Sequence, residues 1–347
     1  MSKEYILYGL LSSLFLTFCF LFINPAEDAV ILYEYSKTLA ETGVISYGNN
    51  NYPIEGATDF LWMFLISIFS FVGVSEFLAS LILTSVAIIY ILKQLGNLKY
   101  GLLLSFCCLF LTPYIYSSAV GFSAIFYSAF YIQCLLYFKD SDYKKMYLGI
   151  LLLCLVRPDG VIWAMPLVLL HQINGGFQLK KIKTSLIYLI VPGIVYFSLR
   201  YVYFGELLPL PFYVKAAGER DFLTFFLGSM RYVFVCALPF IIYFTIKKDW
   251  KSLFIISIPI LFYSSMSLSQ NIGNRFLAPM FFGGLILLQS QTRDRILIVI
   301  TSIFLSFKIT LATGLGSVET KNENVFSLSS SLSGIDGKML ITEAGRL

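Results

Sequence analysis

The sequence predicts an all-α membrane protein with about eleven transmembrane helices. Hydrophobic residues make up 58% of the 347 residues and charged residues only 13%, whereas a soluble domain is about 25% charged. The apolar residues also occur in runs that short polar loops separate. This composition excludes a soluble globular domain. It also excludes a disordered chain, which requires low hydrophobicity and high charge.

The distribution of basic residues predicts which loops face the cytoplasm. One set of loops contains thirteen Lys and Arg residues, at 93–99, 139–145, 172–183, 247–251 and 293–295. The alternating set contains five, at 25–59, 112–118, 157–160, 205–221 and 270–275. The positive-inside rule places the first set in the cytoplasm and the second set outside. The N-terminus is then expected on the cytoplasmic side.

The apolar runs give the predicted spans: 5–24, 76–92, 100–113, 119–138, 146–156, 161–171, 184–204, 222–246, 252–269, 276–290 and 296–313. The first span follows Lys3 and precedes no convincing cleavage site, so we expect an uncleaved signal anchor. The run 60–72 is only about 20 Å long as a helix. Counting it as a span would put every later basic loop outside. We therefore expect it to lie on, or dip into, the outer leaflet.

The cysteines and the single histidine do not indicate a metal or redox site. Their spacing matches neither a zinc motif nor a disulfide framework, and each cysteine lies in an apolar run, so we interpret them as small core residues. They are Cys19, Cys107, Cys108, Cys134, Cys154 and Cys236. His171 ends an apolar run near a basic loop and is interpreted as interfacial.

Acidic residues gather in the first outer loop. Glu27 and Asp28 follow the first span directly, and Glu55 lies farther along the same loop. The apolar pattern between residues 28 and 41 predicts an amphipathic helix in the membrane interface. Its first turn would hold Glu27 and Asp28, where the helix dipole stabilises negative charge. Carboxylates of this kind are also common on ordinary surface helices, so a structural role is the alternative.

Cationic residues gather on the same predicted face. Charges at membrane depth are costly and usually mark a polar cavity or a paired site. Because they lie beside outer carboxylates, they suggest a cavity for an anionic lipid head group. Arginine side chains would hold its phosphate through paired hydrogen bonds. Snorkelling at helix ends is the alternative for any single residue. The residues concerned are Arg157 with Asp159, Lys215 and Arg275 in loops, and Arg200 and Arg231 in apolar runs.

The first outer loop carries a recognisable pattern. Residues 27–40 read EDAVILYEYSKTLA, Gly43 follows, and residues 54–62 read IEGATDFLW. This pattern resembles the first outer loop of bacterial GT-C membrane glycosyltransferases similar to the mycobacterial terminal arabinofuranosyltransferase. Their loop reads roughly acidic-Asp-Ala-hydrophobic-x-x-Tyr, then Val-Glu-Gly-x-Thr-x-x-Leu-Trp. Further blocks fit in family order: RPDG at 157–160, FGELLP at 204–209, FYVK at 212–215 and NRFLAP at 274–279.

The resemblance implies a GT-C-like fold in a bacterial cytoplasmic (inner) membrane, with a site that faces the periplasm or exterior. The implied activity is transfer of a sugar from a polyprenyl-phosphate carrier to an envelope glycan or lipid acceptor. The expected partners are this lipid-linked donor, the acceptor and the bilayer, with no nucleic acid. Enzymes of this kind differ in their use of a divalent cation such as Mg²⁺ or Mn²⁺, so the cofactor stays open.

The resemblance also implies roles for individual residues. Asp28 would be the general base that takes the proton of the acceptor hydroxyl, and Glu27 would assist it. Glu55 would bind sugar hydroxyls or line the same cavity, and Asp159 is counted with the substrate-binding residues. Arg157, Lys215 and Arg275 would stabilise the leaving lipid phosphate. Family members often carry Asp-Asp where this chain has Glu27 and Asp28.

The expected organisation is a transmembrane domain at 1–313, with a large first periplasmic loop at 25–75, and an extracytoplasmic tail at 314–347. In the related enzymes, a block similar to TEAG at 342–345 leads into a soluble outer domain. The tail is therefore interpreted as a short form or as the truncated start of such a domain.

Two other functions fit parts of the sequence. A lipid-carrier or solute transporter would use similar apolar spans, but its charged sites tend to lie at the midplane in paired repeats. Here the charges cluster toward one face and no repeated halves are evident. An envelope glycan polymerase or ligase would use similar lipid donors, but it would not explain the first-loop pattern.

Overall fold

The computed structural model describes residues 3–48, 52–97, 102–174, 176, 178–207, 222–265, 272–288 and 292–312. Helices account for nearly all of the regular structure in these ranges, and no β-strand occurs there. The first helices are α1 (Lys3–Phe22), α2 (Glu27–Thr42), α3 (Phe60–Phe71), α4 (Glu76–Asn97), α5 (Leu102–Phe110), α6 (Pro113–Ala119), α7 (Ala124–Lys139) and α8 (Tyr143–Val156). They are followed by α9 (Gly160–Ile173), α10 (Leu179–Ser185), α11 (Val191–Phe204), α12 (Phe222–Ile246), α13 (Trp250–Ser264), α14 (Ala278–Leu287) and α15 (Thr292–Ala312). A π-helical turn, Leu186–Ile190, joins α10 to α11, and a 3₁₀ segment, Ile272–Leu277, precedes α14.

Local sequence signals explain several helix ends. Asp142 and Asp249 accept hydrogen bonds from the amides of Lys145 and Ser252, and so cap the starts of α8 and α13. Gly43 ends α2 in the left-handed conformation (φ 73°), where the absence of a Cβ removes the steric cost. These signals delimit the helices on which the candidate site is built.

Helix α7 lies at the centre of the bundle and contacts α4, α8, α9 and α14. Small residues allow α14 to approach its neighbours closely. A Cβ on Gly283 would meet the Tyr131 ring of α7, and one on Gly284 would meet the Phe240 ring of α12 at 2.6 Å. Such close approach is how transmembrane helices gain packing energy when lipid supplies no hydrophobic driving force.

The first outer segment packs on the same bundle. Helix α2 contacts α3 and α4, and Tyr33 of α2 shares a 2.8 Å hydrogen bond with Ser80 of α4. The predicted amphipathic helix is therefore present, with Glu27 and Asp28 in its first turn. Its buried residues, Ala29 and Tyr33 among them, face protein. The predicted helix at 60–72 is also present as α3.

Several helices of the described chain could cross a membrane. Three helical segments of the described chain are long and apolar enough to cross a bilayer: Tyr5–Phe22, Glu76–Asn97 and Leu179–Phe204. A fourth would be α5 with α6, which are bent by 63°. Pro113 starts α6, so part of the predicted outer loop at 112–118 is helical. Other apolar helices are shorter, and the count of eleven spans stays a prediction.

His171 and four of the six cysteines are buried. The six cysteines are free, and Cys19, Cys108, Cys134 and Cys236 are buried, as expected for small core residues. His171 is buried, stacks on Tyr143 and shares a 2.6 Å hydrogen bond with Tyr147. Neighbouring aromatic side chains cover His171, and its position at the membrane interface stays a prediction.

Candidate functional site

Asp28 and Arg275 come together across most of the chain. Asp28 lies in the first turn of α2, and its Oδ2 accepts a hydrogen bond from Arg275 Nη2 at 3.3 Å. The Asp28 side chain keeps 27% of its surface exposed, whereas that of Arg275 keeps 10%. Asp28 therefore has one partner in the protein interior and remains accessible to a ligand.

The backbone around Arg275 brings its guanidinium into the site. Gly273 and Asn274 adopt left-handed conformations within the 3₁₀ segment (φ 59° and 55°). A Cβ on Gly273 would lie 2.8 Å from the Pro113 carbonyl oxygen and 3.0 Å from the Ser117 amide nitrogen. Glycine thus permits both the turn and its contact with α6.

The Arg275 guanidinium is buried against aromatic rings and lacks part of its hydrogen bonding. Its Cζ lies 3.9 Å from the centroid of the Phe122 ring and 5.3 Å from that of Phe276. Within the described part of the chain, its Nε–H is buried and has no hydrogen-bond partner. An unsatisfied buried donor on a charged group is costly. An anionic ligand at this position would relieve that cost.

Arg157 forms the second cationic element, in the turn between α8 and α9. Its Nε and Nη2 donate to Oδ1 and Oδ2 of Asp159 at 2.9 and 3.2 Å. Tyr263 of α13 donates to Oδ2 at 2.6 Å, and Trp163 of α9 donates to the Tyr263 hydroxyl at 3.2 Å. This chain of hydrogen bonds sets the orientation of Arg157 from two neighbouring helices.

The two guanidiniums share one aromatic neighbour. Arg157 Cζ lies 4.9 Å from the centroid of Phe276, the ring that Arg275 also contacts. Burial and the positive charge of Arg157 lower the pKa of the Arg275 guanidinium, while Asp28 and Asp59 oppose this effect. Each arginine therefore influences the other, and a negative ligand would favour the charged form of Arg275.

Asp59 belongs to this cluster, although no role was predicted for it. Its Oδ2 accepts a hydrogen bond from Ser123 Oγ at 2.8 Å. Burial alone would lower the pKa of Arg157, but the charges of Asp159 and Asp59 raise it. The only signal in the sequence was an acidic residue directly before an apolar run, which is equally typical of a helix cap.

The other predicted site residues lie elsewhere or outside the described ranges. Glu55 forms a buried ion pair with Arg200 of α11 and makes none with the cluster around Arg275 among the described residues. Glu27 is exposed at the start of α2. Lys215 and the tail at 314–347 lie outside the described residues. Of the predicted residues, the structure thus brings together Asp28, Arg157, Asp159 and Arg275.

A metal site is not formed by the side chains that the structure describes. No group of three or more His, Cys, Asp or Glu residues in these ranges converges as metal ligands. The carboxylates of the cluster pair with arginines instead, as Asp28 does with Arg275 and Asp159 with Arg157.

An apolar groove begins beside the Arg157–Asp159 turn. Its volume is about 840 Å³, and it runs between α8, α9 and α11. Cys154 and Val161, on either side of the turn, line one end, and Phe197 and Leu207 also contribute. The lining of the groove is mostly apolar, and two of its residues lie within four positions of Arg157 along the chain.

Comparisons with known proteins gave no relative. No protein-family model matched the chain, and searches of curated proteins and of solved structures found no match.

Proposed function

We propose that the chain is a GT-C-type membrane glycosyltransferase, acting on the outer side of a bacterial cytoplasmic membrane. It would move a sugar from a polyprenyl-phosphate carrier to an envelope glycan or lipid acceptor. The observation that carries this proposal is the pairing of Asp28, a partly exposed carboxylate, with Arg275, a buried guanidinium whose Nε–H lacks a partner in the described chain. A base and an anion site are thus adjacent.

The two arginines suit a lipid phosphate. A guanidinium has five N–H donors in a planar fork that matches the geometry of phosphate oxygens. Asp159 uses two donors of Arg157, and Asp28 uses one of Arg275. In the proposed reaction, the remaining donors hold the phosphate and stabilise the charge that develops as it leaves.

Asp28 suits the role of general base. As the acceptor oxygen attacks the anomeric carbon, its proton passes to Asp28. The bond between the anomeric carbon and the phosphate oxygen breaks, and its electron pair stays on that oxygen. The lipid phosphate then leaves as an anion, and Asp28 later releases the proton to water. Phosphate is a good leaving group, so the mechanism uses no general acid.

The apolar groove supports a lipid-linked donor. Its lining is almost wholly hydrocarbon, and Gly193 and Ile194 of α11 form part of its wall. A lipid chain in this groove would stay out of water, as it does in the bilayer. Its head group would lie toward the turn that carries Arg157. In the proposed complex, the groove would hold the hydrophobic chain and the arginines would hold the phosphate.

The test compares envelope glycans in three complemented deletion strains by mass spectrometry. We expect deletion to remove one sugar unit, the wild-type gene to restore it, and Asp28→Asn to leave it missing although the protein reaches the membrane. Glu41→Gln, which changes an exposed acid on the same helix, is the matched control and should restore the glycan. An unchanged profile after deletion would overturn the proposal, and restoration by Asp28→Asn would remove Asp28 as the base.

If the protein were a transporter, its deletion would also remove a sugar unit from the glycan. The location of the donor lipid must therefore be measured. Loss of a transferase leaves the lipid-linked sugar in the outer leaflet, where periodate added to intact spheroplasts oxidises its vicinal diols. Loss of a transporter leaves the same lipid in the inner leaflet and protected. Protection would therefore favour the transporter over the enzyme.

A further inference from the structure

Asp59 is an acidic residue of the site that the mechanism above does not use. It lies directly before α3, and its carbonyl accepts a hydrogen bond from the Met63 amide at 2.9 Å. An aspartate at this position ordinarily caps the helix with its side chain. Here the side chain makes no capping hydrogen bond. The carboxylate is turned away from its own helix, which needs another explanation.

The carboxylate is held next to the aromatic residues that the two arginines contact. Its Oδ2 accepts from Ser123 Oγ at 2.8 Å, just before α7. The neighbouring Phe122 is the ring on which Arg275 rests, at 3.9 Å. Tyr127, one helical turn after Ser123, lies 5.4 Å from Arg157 Cζ. Asp59 is thus anchored to the segment of chain that carries both of these rings.

Electrostatics agrees with this placement. The charge of Asp59 acts to raise the pKa of both arginines and so favours the charged guanidinium. Its effect is smaller than that of Asp159 on Arg157 and smaller than that of Asp28 on Arg275. One carboxylate therefore acts on both arginines without being the first partner of either.

Among the residues that the structure describes, the cluster carries more negative than positive charge. Each arginine already has its own ion-pair partner, Asp159 for Arg157 and Asp28 for Arg275. Among the described ion pairs within 4.0 Å, Asp59 has none. Three carboxylates therefore face two guanidiniums in this cluster. The third carboxylate opposes binding of any anion at the arginines, because like charges repel across the partly buried site.

We propose that the negative charge of Asp59 offsets part of the positive charge of Arg157 and Arg275 and so limits the affinity of the site for the lipid phosphate. The limited affinity lets this product leave after transfer. The role rests on the proposed function, since it presupposes an anionic lipid product. Asp59 is accordingly a positioning and charge-setting residue. It does not take part in the transfer of the proton or of the sugar.

The test measures binding of farnesyl monophosphate to the full-length protein in detergent, by calorimetry, and donor kinetics. Asp59→Asn keeps the size of the side chain and an acceptor oxygen for Ser123, but it removes the charge. We expect at least threefold tighter binding, a lower donor KM and a lower kcat, with the difference shrinking in high salt. Asp59→Glu should return both constants toward the wild-type values.

Ser123→Ala separates charge from structure. It removes the hydrogen bond and keeps the Asp59 charge, so it should not tighten binding. A purely structural role for Asp59 predicts weaker binding for both Asp59→Asn and Ser123→Ala, and this result would overturn the proposal. Equal affinity of Asp59→Asn and wild type would also overturn it. In either case, wild-type binding and transfer would leave the proposed function intact.

Failure of the proposed function gives a different result. Wild-type protein that neither binds farnesyl monophosphate nor transfers sugar would contradict the phosphate site itself, and the role of Asp59 would fail with it. If decyl sulfate bound as tightly as farnesyl monophosphate, the site would be a general anion site. This result would likewise overturn the role of Asp59 in product release.

Discussion

The orientation of Arg157 depends on residues that lie outside the turn. Tyr263 donates to Asp159 at 2.6 Å, and Asp159 in turn binds the guanidinium through two hydrogen bonds. Trp163 donates to the same Tyr263 hydroxyl. Removal of one hydroxyl therefore affects three side chains, because each is both positioned and satisfied by the next.

We expect Tyr263→Phe to weaken the donor site without abolishing catalysis. The change leaves Asp159 with one donor fewer and Trp163 without its acceptor, so the free energy of unfolding should fall by about 1–3 kcal/mol. Donor KM should rise by about tenfold, the equivalent of 1.4 kcal/mol, with a smaller change in kcat. Transfer kinetics and thermal unfolding in detergent check this. Tyr52→Phe, at a residue that is 79% exposed, is the control, and equal behaviour of the two variants would contradict the expectation.

At the scale of elements, the packing of α8 on α9 determines where the Arg157 turn lies. A Cβ on Gly160 would be 2.9 Å from the carbonyl carbon and oxygen of Leu153, and 3.0 Å from the Cα of Cys154. These are backbone atoms of α8 and cannot rotate away. Gly160 therefore allows α9 to begin immediately against the last turn of α8.

Gly160→Ala should force the two helices apart. We expect a loss of about 1–3 kcal/mol in the free energy of unfolding, the usual cost of overpacking. Farnesyl monophosphate binding should weaken as well, because Arg157 and Asp159 lie in the turn that moves. Gly9→Ala in α1 is the matched control, since no atom lies within 4 Å of its added Cβ. Comparable melting temperatures for Gly160→Ala and Gly9→Ala would contradict this role of Gly160.

For the whole molecule, the first outer loop is joined to α11 by a buried ion pair. Glu55 contacts Arg200, and only 9% and 4% of their side-chain surfaces are exposed. Arg200 Nη1 also donates to the carbonyls of Glu206 and Leu207, at 3.1 and 2.7 Å. The Ile45 amide donates to the Tyr203 hydroxyl at 3.0 Å. Together these contacts hold the loop that leads to Asp59 against the far part of the chain.

We expect Glu55→Gln to loosen this loop. Removal of one partner leaves a buried charge uncompensated, which costs about 3–5 kcal/mol. Limited proteolysis should then cut within 43–59 sooner than in wild-type protein, and the melting temperature should fall. Glu41→Gln, which breaks the exposed pair with Lys37, should cost less than about 1 kcal/mol. If Glu55→Gln were as resistant to protease as Glu41→Gln, the ion pair would not hold the loop.

The same scales separate what could be predicted from what could not. The start of α2 with Glu27 and Asp28 in its first turn, and the helix at 60–72, follow from local apolar pattern and were predicted. Glu55 was expected to bind substrate, but its partner Arg200 lies 145 residues away. The local sequence pattern carries no information on such a distant contact. It therefore cannot distinguish a carboxylate that binds substrate from one that pairs with a distant arginine.

By itself, the sequence determined that the chain is helical and largely apolar, and it indicated which polar residues lie in loops. Hydrophobic runs and short-range periodicity are local properties, so they can be recognised without the fold. Only the tertiary structure decided that Asp28 meets Arg275, that Asp59 turns from its own helix to Ser123, and that both arginines share Phe276. The first two contacts join residues that are 247 and 64 positions apart. They form only when helix packing satisfies buried charges that no local segment can satisfy alone.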